Sequence, residues 1–88
     1  MICVRVFTQE RCPQCRATLR RFAKWGAGIG VTSALDHLDY LHGLGLKTAP
    51  GVVVTEDGRV LEAWGGFSQS RVDKRGRALA AQVYGECR

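Results

Sequence analysis

The chain has 88 residues, 45% of them hydrophobic and 24% charged, with three Phe, two Tyr and two Trp. That balance excludes a disordered chain and allows one core, so residues 1–88 are taken as a single domain. No apolar run approaches the roughly 20 residues that a bilayer-crossing helix needs, and Met1-Ile2-Cys3-Val4-Arg5 does not open like a signal peptide. The expected location is the cytoplasm, with no membrane association. A formal charge of +5 invites a polyanion. Most of the excess falls on Arg16 to Lys24 and Arg71 to Arg77, which are expected to be solvated helix faces, so nucleic acid is not the expected partner.

Ile2 to Thr8 is β-branched and aromatic and ends at Gln9-Glu10-Arg11, the pattern of a buried strand. Cys12 then falls at a helix N-cap and Pro13 at the first helical position, where a missing N–H costs nothing. Along this helix Cys15, Leu19, Phe22, Ala23 and Gly26 share one face, so Cys15 is expected to point inward and Cys12 to sit at the exposed end. Gly26-Ala27-Gly28 breaks the pattern, and Ile29 to Thr32 supplies a short strand. Ser33 precedes a short helix carrying Leu35, Leu38 and Leu41, with Asp36 in its first turn and Gly43 as its stop.

Gly51 to Thr55 and Arg59 to Trp64 are strand-like runs around Glu56-Asp57-Gly58, a hairpin signal that makes them antiparallel. Ser68 to Tyr84 closes the chain as an amphipathic helix with Val72, Gly76, Leu79, Ala80 and Val83 on one face and Gly85 as its stop. The order β-α-β-α-β-β-α, with a CxxC in the first β-α connection, resembles the thioredoxin fold. That is an α/β architecture with a four-stranded mixed sheet flanked by three helices on its two faces.

Cys12-Pro13-Gln14-Cys15 is the feature that carries chemistry. A thiolate attacks disulfides, and the free N–H groups and dipole at a helix N-terminus favour an anion there. Cys12 occupies that position, with Arg11 and Arg16 as nearby cations. Cys15, three residues on, can attack the mixed disulfide that Cys12 forms. The other reading of a CxxC is half of a structural zinc site. Its remaining ligands would have to come from Cys3, Cys87, His37 and His42, scattered over the first strand, the tail and the second helix, so no metal is assigned. Each His is taken as an exposed or capping residue, Cys3 as core filling in its strand, and Cys87 as a tail thiol with no required role.

On these residues the chain resembles the NrdH-redoxins, glutaredoxin-like proteins of bacteria and their phages. The likeness rests on Cys12-Pro13-Gln14-Cys15, on Leu44-Gly45-Leu46-Lys47-Thr48-Ala49-Pro50 followed by Val52-Val53-Val54, and on Trp64-Gly65-Gly66-Phe67, similar to that family's W-S-G-F. Thioredoxin-fold proteins carry a cis-proline before the third strand, which places Pro50 beside the CxxC. The resemblance implies a monomeric dithiol carrier with catalytic Cys12 and Cys15. It binds no cofactor, is reduced from NADPH through thioredoxin reductase, and passes electrons to the large subunit of ribonucleotide reductase. Pro13, Gln14, Ala49, Pro50, Trp64, Gly66 and Phe67 are the candidate substrate-binding residues. Trp64 and Phe67 fit either a docking surface or a core that closes the sheet onto the last helix.

The chain departs from the family at Ser68-Gln69-Ser70, where R-P-D is usual, at Gly65 in place of Ser, at Gly51 after Pro50, and in a shortened stretch from Gly28 to Pro50. A glutathione-dependent glutaredoxin is the first alternative, although its usual CPYC and GG-C-D-D-like segments are not present here. A zinc-binding or interaction module without redox activity is the alternative of another class.

Overall fold

A computed structural model describes residues 1–81. The elements run β1 (Ile2–Thr8), α1 (Pro13–Lys24), β2 (Gly30–Ser33), a 3-10 turn (Ala34–His37) continuing into α2 (Leu38–Gly43), β3 (Gly51–Glu56), β4 (Arg59–Gly65) and α3 (Gln69–Ala81). The sheet order is β2-β1-β3-β4. β1 pairs parallel with β2 and antiparallel with β3, and β3 pairs antiparallel with β4. The β3–β4 turn uses Asp57 at φ 51° and Gly58 at φ 85°, the two left-handed residues that a tight hairpin with right-handed twist requires.

Alternation along the strands separates two cores. Val4 and Val6 of β1, Val52 and Val54 of β3 and Trp64 of β4 pack with Phe22 of α1 and with Val72 and Leu79 of α3. Each such side chain contributes about 1.5–3 kcal/mol when fully buried. On the opposite face Phe7 and Val53 meet Ala34, Leu41 and Leu46. This second core is smaller because α2 has only six residues. Gly51 lets it close: a Cβ there would lie 3.1 Å from Leu41 Cδ2 and 3.5 Å from Leu46 Cδ1.

Several details correct the sequence reading. In α1 the buried stripe is Cys15, Thr18 and Phe22, whereas Ala23 is exposed. Gly26 is not on the core face at all but terminates the helix at φ 65°, with Gly26 N donating to Ala23 O and Ala27 N to Phe22 O. α2 ends at Gly43, as expected, and the left-handed residue that follows its cap is Gly45: Gly45 N donates to His42 O and Leu46 N to Leu41 O, which turns Leu46 back onto Leu41. Because the segment opens as a 3-10 turn, the leucines at 35, 38 and 41 do not share a face. Leu35 is 67% exposed while Leu41 is buried beside Ala34. In α3, Val72, Gly76 and Leu79 are buried and Ala80 is exposed, and the expected Val83 and helix end at Tyr84 lie outside the described residues.

Four of the eight basic residues of α1 and α3 help pack these helices on each other or on the sheet. Arg21 grips Asp73 through Nε at 2.6 Å and Nη2 at 2.8 Å, and Trp25 Nε1 donates to the same carboxylate at 2.9 Å. Arg77 lies over the Trp25 ring, Arg71 over Trp64, and Arg75 pairs with Glu62 of β4. The Trp25 side chain crosses Gly76, where a Cβ would lie 2.6 Å from Trp25 Cδ1 and 2.9 Å from Cγ.

Two stability predictions follow from the α1–α3 contact. Gly76→Ala gains up to about 1 kcal/mol of helix propensity but drives a methyl into the root of the indole. A net loss of about 1–2 kcal/mol is expected in urea melts, since overpacking costs about 1–3 kcal/mol. The hydrogen bonds from Arg21 and then from Trp25 hold the Asp73 carboxyl well below the usual carboxylate range. A depressed carboxylate stabilises the fold above its unfolded value near pH 3.9 and loses that contribution as pH falls toward its lower folded value. The urea midpoint should therefore fall as pH drops below about 4. Asp73→Asn should be less stable at pH 7 and show a flatter acid limb.

Candidate functional site

β1 ends at Thr8, and the chain turns through Arg11, held at φ 52°, to present Cys12 as the N-cap of α1. Cys12 has extended backbone angles, φ −116° and ψ 96°, and its carbonyl accepts the first helical bond from Arg16 N at 3.1 Å. Its Sγ accepts from Cys15 N at 3.1 Å, so the sulfur takes the place of the oxygen of a conventional N-cap. Cys12 and Cys15 are joined in a disulfide with Cα atoms 5.2 Å apart, within the span that sulfur bridging needs. Cys15 is 2% exposed, and Cys12 is partly exposed beside exposed Pro13 and Gln14. No carboxylate stands in the first turn of α1, and Arg11 and Arg16 are exposed at its margin.

Two further loops converge on this helix end. The Ala49-Pro50 peptide is cis and Pro50 is fully buried at the entry to β3. Its carbonyl accepts from Gly66 N at 2.8 Å, and the next amide, Phe67 N, donates to Gln14 Oε1 at 2.9 Å. Two successive amides after β4 thus tie the proline loop to the CxxC. Gly66 adopts φ 81°, and a Cβ there would come within 3.0 Å of Gln14 Oε1. Gly65 lies close to Thr48, where a Cβ would come 2.6 Å from Oγ1 and 3.4 Å from the carbonyl oxygen. The Gly in place of Ser is therefore matched to the approach of Thr48. The sequence places Gln14 at the site without disclosing this anchoring role, which depends on a residue 53 positions away.

The two aromatics of this segment divide. Trp64 is 4% exposed and belongs to the main core, so it cannot serve as a docking residue. Phe67 is 38% exposed at the rim, and Ala49 is half-buried. Cys3 also departs from expectation. It is only partly buried, lies outside both cores, and is disulfide-bonded rather than a free thiol filling space. Cys87 lies outside the described residues. His37 packs edge-on against Phe7 at 5.4 Å between ring centres and His42 is exposed on α2. Among the described residues no group of three or more His, Cys, Asp or Glu is placed to hold a metal ion, and no helix is long and apolar enough to cross a membrane.

No family model matches the sequence, and no curated protein matches it either. Solved structures do. The glutaredoxin-like NrdH-redoxin of Escherichia coli, described as having a thioredoxin-like activity profile, superposes with a TM-score of 0.69 at 22% identity, over 81% of this chain and 91% of that one. Reduced desulfothioredoxin from Desulfovibrio vulgaris Hildenborough gives a TM-score of 0.70 at 21% identity, over 88% and 79%. Oxidised thioredoxin from Plasmodium falciparum gives 0.65 at 13% identity, over 91% and 82%. The architecture, the sheet order and these superpositions agree: the chain has the thioredoxin fold, with a CxxC disulfide at the start of its first helix.

Proposed function

We propose that the chain is a dithiol-disulfide oxidoreductase that reduces protein disulfides through Cys12 and Cys15. The observation that carries this reading is the Cys12–Cys15 disulfide at the α1 N-terminus, with Cys12 partly exposed and Cys15 buried. In the reduced form, negative charge on Cys12 Sγ is favoured by the Cys15 amide and by the helix dipole. The Cys12 thiolate attacks one sulfur of a substrate disulfide, and the other substrate sulfur leaves as a thiolate and takes up a proton. Cys15 gives up its proton and attacks Cys12 Sγ, closing the Cys12–Cys15 bond and releasing the second substrate thiolate, which is protonated in turn. The substrate gains two electrons and two protons. A reductase then returns both to the carrier.

An incoming segment in extended form can lie along Ala49 and Pro50, with Phe67 at the rim and Pro13 and Gln14 beside the reacting sulfur. Gly66 acts through its amide. We assign the donor as thioredoxin reductase with NADPH, with no cofactor bound to the chain itself, and the acceptor as the large subunit of ribonucleotide reductase. The sequence likeness to the NrdH-redoxins supports both assignments, and the Gly65-Gly66-Phe67-Ser68-Gln69 segment, unlike a glutathione-binding one, supports the first.

Two experiments test this. With oxidised protein and NADPH, thioredoxin reductase should drive NADPH consumption at least about ten-fold faster than glutathione with glutathione reductase. The reverse order would make the chain a glutaredoxin. Separately, Cys15→Ser should accumulate a mixed disulfide with its substrate, whose mass identifies the partner, while Cys12→Ser should lose exchange altogether. Trapping through Cys15 in the Cys12→Ser protein would overturn the division of roles.

A further inference from the structure

We propose that the Thr18 hydroxyl is the hydrogen-bond donor that receives the Cys15 thiolate when the CxxC opens, an inference that deepens the exchange reaction proposed above and rests on it. Thr18 is fully buried, and among the described residues no other polar or charged side chain is buried. Its Oγ1 has no hydrogen-bond partner, so neither carbonyl one turn back on α1 accepts from it. Buried hydroxyls are normally paired, and an unpaired one destabilises the state that holds it. The state that holds it here is the oxidised one, with Cys12 and Cys15 bonded.

The place of Thr18 on α1 names the missing partner. Cys15, Thr18 and Phe22 form the buried stripe of the helix. Residues three apart on a helix are neighbours, and helical side chains lean toward the N-terminus, so Thr18 leans toward the turn that carries Cys15. Trp64 Nε1 is the other buried side-chain polar atom without a partner among the described residues, and as a donor only it offers the Thr18 O–H no acceptor. The buried side chains that β1, β3, β4 and α3 contribute to this core are apolar apart from the Trp64 indole and include no ionisable group. The charged groups on the packed elements are engaged or solvated: Arg21 pairs with Asp73, Arg71 lies over the Trp64 ring, and Arg11 and Arg16 are exposed.

Cys15 therefore has to ionise without a buried carboxylate or imidazole beside it. Once Cys12 carries a substrate sulfur, Cys15 gives up its proton, which ends on the departing substrate thiolate, and the negative charge rests on Cys15 Sγ until that electron pair forms the bond to Cys12 Sγ. The Thr18 O–H donates to this charge and keeps its own proton throughout. When the disulfide closes the charge is gone, and the hydroxyl returns to the unpartnered state of the oxidised protein. A hydrogen bond made only while Cys15 is ionised lowers the cost of ionising it.

Thr18→Val keeps the shape of the side chain and removes the donor, whereas Thr18→Ser keeps the donor. Cys15 is titrated by thiolate absorbance, as the difference between the Cys12→Ser protein and the protein carrying both Cys12→Ser and Cys15→Ser. Thr18→Val should raise the Cys15 pKa by about half a unit to one unit, the size of one net hydrogen bond, and Thr18→Ser should return it to the parent value. With both CxxC cysteines present, the reduced protein is mixed with a small aromatic disulfide and the Cys12 adduct is followed by the mass of the CxxC peptide. Thr18→Val should leave formation of the adduct unchanged and slow its resolution about two- to three-fold at neutral pH, since a more basic thiolate is also more nucleophilic and recovers about half of the loss on a logarithmic scale. Above the pH at which Cys15 is ionised in both proteins that deficit should vanish, and the oxidised Thr18→Val protein should unfold in urea no earlier than the parent. An unmoved Cys15 titration, an equal slowing at every pH, or a Thr18→Ser protein that behaves like Thr18→Val would each assign Thr18 to packing alone and overturn the proposal. Neither measurement uses a reductase or a protein substrate. A parent that formed no adduct on Cys12 would count against the exchange reaction, while the titration would still decide the role of Thr18.

Discussion

Arg21, Trp25 and Asp73 meet at one carboxylate, and the position of the Cys12 sulfur depends on that junction. α1 has a single long contact with another helix, and it is fastened there by two guanidinium hydrogen bonds and one from the indole. The junction lies near the C-terminal end of α1, whereas the chemistry lies at its N-terminal end. A helix transmits position along its axis at 1.5 Å per residue with little bending, so a fixed far end and a buried Phe22 leave Cys12 little freedom. Gly76 belongs to the same constraint, because only the absence of a side chain allows the indole to cross α3. Four arginines, Arg21, Arg71, Arg75 and Arg77, are engaged in this helix and sheet packing.

The near end of α1 is held by different means. Gly66 N and Phe67 N, donating to Pro50 O and Gln14 Oε1, join three connections that come from separate parts of the chain. Neither bond uses the side chain of residue 66 or 67. The proline loop is thus fixed through a carbonyl and the CxxC loop through one side-chain amide, while Cys12 Sγ has no side-chain partner other than Cys15 among the described residues. Such an arrangement keeps the approach to Cys12 rigid without blocking it.

What the sequence discloses and what it hides divide along the same line. The strands, the start of α1 at Pro13 and the Asp57-Gly58 turn follow from local rules about β-branching, N-terminal proline and left-handed turn residues, and all appear where those rules place them. The errors arise where a glycine or leucine has two local meanings. Gly26 fits a 3.6-residue stripe but acts as a helix stop, and Leu35 and Leu38 fit the same stripe until a 3-10 turn rotates them toward solvent. The burial of Trp64 and the Gln14 anchor are settled by residues far along the chain, which no local pattern contains.

The departures from the family pattern acquire a physical meaning in this frame. A Cβ at Gly65 would meet Thr48, and one at Gly51 would meet Leu41 and Leu46, so both glycines lie where the 41–48 segment approaches the sheet. Ser68-Gln69-Ser70 is different in kind. The bonds that organise the site come from the backbone of residues 66 and 67, immediately before it, so replacing the side chains at 68–70 leaves that lacing unchanged. Ser68 still opens α3, its carbonyl accepting from Val72 N at 2.9 Å. The altered tripeptide therefore bears on the exposed surface beyond Phe67, and not on the geometry of Cys12 and Cys15. The backbone of residues 66 and 67 braces the CxxC, while the side chains of residues 68–70 lie beyond that brace.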